Sequence, residues 1–236
     1  MVFRYIAGIS RKPRKPKEAA PSTAVQTAPR PNDFEAVRRV IKNRCSVRKY
    51  QEKPIDDRTL YTIMESASFA PSAGNQQPWE FILVRDAVSK EHLAEAAYNQ
   101  NWLKHAPVII VACVNMKLAS ALYGERGEKL YGIQGVSCAL ENMLLTAESL
   151  GISSCWVGMF SEPRVAAITR CPEHVRPCAL IALGYGAEKP KSRIAQKPED
   201  YIHIEEFGRT ILLERIIEEK SPIKGAKSHN EYWGNS

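Results

Sequence analysis

Several features that would fix a protein's chemistry at a glance are missing from this sequence. Its six cysteines, at positions 45, 113, 138, 155, 171 and 178, form no C-x-x-C pair. That scatter argues against a zinc site or a disulfide frame and suits reduced, mostly buried thiols in a cytoplasmic protein, so no metal is expected. No apolar run approaches the roughly 20 residues of a membrane span, and no signal-peptide core precedes the first charged residues. There is no G-x-G-x-x-G loop for an adenine dinucleotide. The five histidines are dispersed, and no Ser/His/Asp or paired-carboxylate set stands out.

Charge of one sign is also scarce where it would matter. The formal net charge is +7, but Arg4, Arg11, Lys12, Arg14, Lys15, Lys17 and Arg30 against Glu18 leave +6 in residues 1–30 and +1 for the remainder. The basic character belongs to a tail, and a nucleic-acid partner is not expected. The stretch from Ser10 to Pro31 is rich in Pro, Ala, Lys and Arg and lacks apolar periodicity, and residues 1–31 are expected to be a disordered tail. A weak tether to anionic lipid or RNA is the alternative.

What is present is a folded body over 32–208, followed by a possible dimer-wrapping arm over 209–236. With 44% apolar residues, the chain can build one domain with a real core. Asp33 is read as the N-cap of a helix with Phe34, Val37, Val40 and Ile41 on one face. A second helix starts near Asp56 or Asp57, turns Leu60, Ile63, Met64 and Ala67 inward, and ends before Pro71. Lys90 to Tyr98 looks helical, and the longest helix runs from about Gly132 to Leu150, with Gly151 just beyond it. Another helix opens at Ser161-Glu162-Pro163, and a last one is expected over Thr210 to Lys220. Trp79–Val84, Val108–Val114, Ser153–Val157 and Cys178–Leu183 read as strands. The alternation predicts an α+β sandwich.

Three segments could carry chemistry. In Arg44-Cys45-Ser46-Val47-Arg48, two arginines four residues apart flank a hydroxyl, a set that can grip a phosphate or simply form a surface charge cluster. Ala70-Pro71-Ser72-Ala73-Gly74-Asn75-Gln76-Gln77-Pro78-Trp79 offers neutral donors and acceptors that match the edge of a flavin pyrimidine; it also serves as a helix-to-strand connector. The third is paired: Gly151 to Phe160, which includes Trp156-Val157-Gly158, and Lys189-Pro190-Lys191-Ser192-Arg193.

A-P-S-x-x-N-x-Q-P-W resembles a diagnostic stretch of the nitroreductase-like flavoproteins, and R-C-S-V-R resembles their N-terminal R-x-S-x-R/K element. The likeness runs from about Phe34 to Phe207. It implies a three-layer sandwich, with a mixed, mainly antiparallel central sheet flanked by helices, in an intertwined homodimer. It further implies an FMN-dependent NAD(P)H oxidoreductase that reduces nitroaromatic, quinone or related small oxidants by ping-pong hydride transfer through flavin N5. Arg44, Ser46, Lys191 and Arg193 would hold the FMN phosphate, with Cys45 packed between them. Arg48 would stabilise the charge that reduction places on the ring. Pro71, Ser72, Ala73, Asn75 and Gln77 would contact ring or ribityl chain, partly from the partner subunit. Trp156 and Val157 would run under the ring, and the Gly158 N–H would point at N5, where glycine permits a close approach.

Tyr123 and Tyr131, in the segment from Asn115 to Tyr131, could stack on substrate, with Arg126 or Lys129 meeting a carboxylate or nucleotide phosphate; a solvated loop is the other reading. A reductive dehalogenase, a flavin-consuming enzyme of the same fold and a redox-inert flavin sensor are the alternatives.

Overall fold

The computed structural model describes residues 32–188 and 195–209. Two compact units divide the chain, residues 1–191 and 192–236. The expected basic tail, the phosphate residues Lys191 and Arg193, and the C-terminal arm from Thr210 lie outside the described residues.

Among the described residues of the first unit, six α-helices flank one sheet. Helix α1 spans Asp33–Asn43, α2 Asp57–Ser66, α3 Ala87–Ala96, α4 Met116–Arg126, α5 Gly132–Ser149 and α6 Glu162–Thr169. The strands are β1 Trp79–Val84, β2 Val108–Asn115, β3 Ser153–Val157 and β4 Val175–Gly184. Their order is β1-β2-β4-β3, and all three pairings are antiparallel. A parallel bridge from Ser46 to Ser154 extends the β3 edge.

The layers follow from side-chain alternation along β2, the strand buried throughout. Val108, Ile110, Ala112 and Val114 pack with Leu60 and Ile63 of α2 and with Val136, Leu140 and Met143 of α5. Ile109, Val111 and Cys113 point the other way, toward Leu93 of α3 and Val165 of α6. Helices thus cover both faces of the sheet. Burial of each large apolar side chain contributes about 1.5–3 kcal/mol.

Local signals place the helix ends. Asp56 caps α2 by accepting from the Thr59 N–H at 2.9 Å, and Asp86 caps α3 through Ser89 at 2.8 Å. Helix α1 departs from the sequence reading: its N-cap is Asn32, and Asp33 lies inside the first turn, where a carboxylate still meets the positive end of the helix dipole. None of its residues is buried. Residues 116–131, open to reading as a loop, form α4 and a π-turn.

An exposed pair ties α6 to β4. Arg176 donates to both carboxylate oxygens of Glu162 at 2.8 and 2.9 Å, and these hydrogen bonds hold the Glu162 carboxyl below its usual value of 4.5. The stability that pairing contributes is present above the unfolded glutamate range and disappears as pH falls through the lowered folded value. Glu162→Gln should therefore cost about 1 kcal/mol at pH 7, the scale of a half-exposed forked pair, and progressively less as acid protonates the glutamate in the folded protein. Urea melts at neutral and acid pH check this.

In the second unit, residues 198–200 form a single 3-10 turn. The His203 and Phe207 rings meet at 4.5 Å, and Arg209 pairs with Glu205.

Candidate active site

The chain leaving α1 lies along the free edge of β3. The Val47 N–H donates to the Ser154 carbonyl at 3.0 Å. Beyond it, Gln51 donates to Tyr185 and Ala187 donates to Lys49, each at 2.9 Å. Main-chain bonding thus fixes Ser46 and Val47 beside Ser154, and Lys49 to Gln51 beside residues 185–187, which brings two of the predicted segments together. Val47 is the buried anchor, and the Tyr50 hydroxyl locks the stretch by donating to the Val47 carbonyl at 2.6 Å.

The two arginines turn to different neighbours. The Arg44 side chain is only 17% exposed, and its Nε lies 3.8 Å from Glu141 Oε1 on α5. Burial raises the Glu148 carboxyl above its usual range, and Arg44 pulls it back in part. Cys45, half-buried, is pushed up by burial and then by Glu148. Arg48 is exposed; its guanidinium sits 5.7 Å from the centre of the Trp102 ring, and its N–H donates to Glu188 at 3.0 Å. Ser46 is exposed beside them.

The loop of residues 70–79 is organised by its own polar groups. The Ser72 hydroxyl accepts from the Gln77 N–H at 2.9 Å, and Gln77 Nε2 donates to Asn75 Oδ1 at 3.0 Å. Gly74, Asn75 and Gln77 all take positive φ, where glycine and asparagine are at least strain. The Asn115 N–H donates to the Pro78 carbonyl at 2.7 Å, fastening the loop to β2.

A cleft of about 380 Å³ opens where this loop meets α5, lined by Pro71, Ser72, Ala73, Tyr131, Gln134, Gly135 and Cys138. Tyr123 and Tyr131 meet edge to face at 5.3 Å. A Cβ at Gly74 would lie 2.9 Å from the Tyr123 hydroxyl, so α4 seats closely on the loop. Arg126 donates to the Tyr131 hydroxyl at 2.8 Å, and Lys129 pairs with Glu125. Both cations considered for substrate are engaged within this segment.

Trp156 is 39% exposed although Cys155 and Val157 on either side are buried. Gly158 is exposed just beyond, and a Cβ there would meet only the Trp156 indole nitrogen, at 3.7 Å. The surface over the end of β3 is open to a planar group.

Helix α5 joins these parts, which its apolar stripe alone did not foretell. Gln134, Cys138, Glu141, Leu145 and Glu148 recur at four- and three-residue steps, so they share one face, and none of them is buried. The loop sits at the Gln134–Cys138 end and Arg44 at the Glu141–Glu148 end. From Gln134 to Glu148 this face is about 21 Å long at 1.5 Å per residue. Trp102, Glu141, Glu148 and Glu188 were not among the residues singled out from sequence; each reaches the site through a tertiary contact. Among the described residues no cluster could hold a metal, and no helix is long and apolar enough to cross a membrane.

Comparison with known proteins bears on the family. The nitroreductase family model matches residues 41–102 and 89–185. A protein of Methanothermobacter thermautotrophicus, provisionally named an NADH dehydrogenase/NAD(P)H nitroreductase, is 38% identical over 173 residues, covering 71% of this chain and 85% of its own. A Bacillus subtilis protein named FMN reductase, NAD(P)H, is 28% identical over 166 residues, 65% of each chain. A crystal structure from Parabacteroides distasonis, of a protein provisionally named in the same way as the first, superposes with a TM-score of 0.64 at 28% identity, covering 72% of this chain and 98% of its own. Sequence, fold and segment order lead to one assignment: the chain belongs to the nitroreductase family.

Proposed function

We propose that this chain is an FMN-dependent NAD(P)H oxidoreductase acting on nitroaromatic, quinone or related small oxidants, and that it works as a homodimer. One observation carries the reading: the uncovered face of α5 has the neutral amide loop at one end and the half-buried Arg44 at the other. Two copies paired across that face by a two-fold axis perpendicular to α5 run these helices antiparallel. The loop of one copy then lies near Arg44, Ser46 and Trp156 of the other, and one flavin can touch both. Val37 and Ile41 of α1, 58% and 51% exposed, add apolar surface to such an interface.

The donor set suits FMN. Arg44 engages Glu141 through Nε, which leaves another edge of the guanidinium for a phosphate, with the Ser46 hydroxyl beside it. The family resemblance would add Lys191 and Arg193, which lie outside the described residues. The amides of Asn75 and Gln77 would pair with the ring edge without adding charge, and the Gly158 N–H would donate at N5. Arg48, held on Trp102, places positive charge near the ring. FMN supplies hydride acceptance from NAD(P)H and hydride donation to the oxidant. The protein contributes position and electrostatics; Tyr123 and Tyr131 flank the cleft as stacking surfaces for an aromatic substrate. The B. subtilis relative named FMN reductase, NAD(P)H, supports the same pairing of cofactor and reductant.

Anaerobic titration tests the reading. Purified protein should run as a flavin-loaded dimer by light scattering, release FMN and not FAD on acid treatment, bleach with NADH or NADPH, and recover its colour on adding a nitroarene or quinone. A yellow protein that never bleaches would instead be a flavin-binding sensor.

A further inference from the structure

Two thiols unused by the proposed chemistry lie together on the α3/α6 side of the sheet. Cys113 on β2 is 0% exposed, and Cys171, in the chain that leaves α6, is half-buried. Their sulfurs are 4.0 Å apart across 58 residues of sequence. Cys171 is held in place: its N–H donates to the Ala166 carbonyl at 2.9 Å, after Arg170 ends α6 in the left-handed region. The Thr169 hydroxyl lies 3.2 Å from Cys171 Sγ. Cys178, close by in sequence, packs with the opposite core, so it does not compete for this contact. Cys113 itself sits at the β-bulge where the register with β4 shifts, a point where the strand can give locally.

We propose that Cys113 and Cys171 form a reversible dithiol site that responds to hydroperoxides, with Cys171 oxidised first and Cys113 resolving it. The Cys171 thiolate attacks a peroxide oxygen: an S–O bond forms, the O–O bond breaks, and the departing hydroxide takes a proton to become water. Cys113 sulfur then attacks the sulfenic acid: the S–S bond forms, the S–O bond breaks, and a second water leaves with the Cys113 proton. The two thiols together lose two electrons, and hydrogen peroxide gains them.

Access and electrostatics set this order. Cys171 has the solvent exposure that Cys113 lacks. The hydrogen bond from Cys113 lowers the Cys171 thiol below its ordinary value, with Thr169 helping, while that same contact and burial raise Cys113. A peroxide can reach Cys171 and not Cys113, and the contact between the two thiols favours thiolate on Cys171. Closing 4.0 Å to an S–S bond of about 2 Å requires rotation of both side chains and a small shift of the loop after α6.

The test is hydrogen peroxide added to the reduced, folded protein, followed by thiol blocking and peptide mass mapping. We expect a peptide pair joined through Cys113 and Cys171, an intact mass lower by two hydrogens, and full reversal by dithiothreitol. Cys178→Ser should form the same bond, and Cys113→Ser should instead accumulate a dimedone-reactive sulfenic acid at Cys171. Should Cys113→Ser not fold, the wild-type peptide map decides alone. Oxidation confined to exposed Cys138, a bridge between other cysteines, or an unmodified Cys171 would overturn the proposal. The mass readout is independent of flavin content or turnover, so it stands or falls apart from the reductase reading.

Discussion

Arg44→Ala should weaken FMN binding by about 1.5–3 kcal/mol, the scale of a charge-assisted hydrogen bond lost from a partly buried site; this is roughly ten- to hundred-fold in Kd. Titration of the apoprotein by flavin fluorescence quenching measures it. Arg44 also neighbours Glu141 and Glu148, so a structural loss must be separated from a lost phosphate contact. Glu141→Gln makes the separation. Removing a carboxylate that competes for the guanidinium should leave FMN affinity unchanged or raised; a fall as large as that of Arg44→Ala would mean that the ion pair, and not the phosphate, needs Arg44. Arg48→Ala should act differently, because its guanidinium is exposed and stacked on Trp102. It should lower the flavin reduction potential more than it lowers affinity. Equal affinity losses with an unchanged potential would exchange the two roles.

The contrast between these arginines also marks what sequence could and could not say. R-C-S-V-R marked a candidate phosphate-binding segment, but spacing alone allowed both guanidinia to converge on one anion. Their separation comes from contacts made with Glu141 and Trp102, far along the chain, and no local rule encodes those. The short runs Trp79–Val84 and Ser153–Val157 match β1 and β3 to the residue, because each is bounded by turn residues. Strand β4 starts at Val175, three residues before its expected beginning, since Pro177 argues against a central strand. The register shift between Ala112 and Cys113, opposite that proline, is what accommodates it. Helix α4 was illegible for another reason. Leu118 and Ala119 are buried while Leu122 and Tyr123 are exposed, so its apolar residues mark no single inward face. The dual use of α5 was hidden likewise: its apolar stripe announced a core helix, while its opposite face lies between the two halves of the candidate site.

Gly127→Ala should destabilise the protein by about 3 kcal/mol, as an overpacked position does when the obstacle is main chain. The cause lies three residues earlier. Gly124 takes φ 54 and ψ −139, a region open essentially to glycine alone, and it folds the chain back on α4. That reversal brings Gly127 against the preceding turns, where a Cβ would lie 2.0 Å from the Ala119 carbonyl oxygen and 3.2 Å from Tyr123 Cβ. A carbonyl within a helix cannot swing aside as a side-chain tip can, so α4 or the π-turn of Gly127–Tyr131 must move. At about 2–4 °C per kcal/mol for a domain of this size, the melting temperature should fall by roughly 6–12 °C. The same displacement should disturb the Tyr123–Tyr131 contact at the cleft, raising KM for an aromatic oxidant more than KM for NAD(P)H if those rings receive the oxidant. Gly151→Ala is the matched control, because its φ is also positive but a Cβ there meets nothing within 4 Å; it should cost only about 1 kcal/mol of backbone strain. Equal losses for the two variants would mean that the turn relaxes around the added methyl, and that Gly127 is not the point on which the cleft wall is braced.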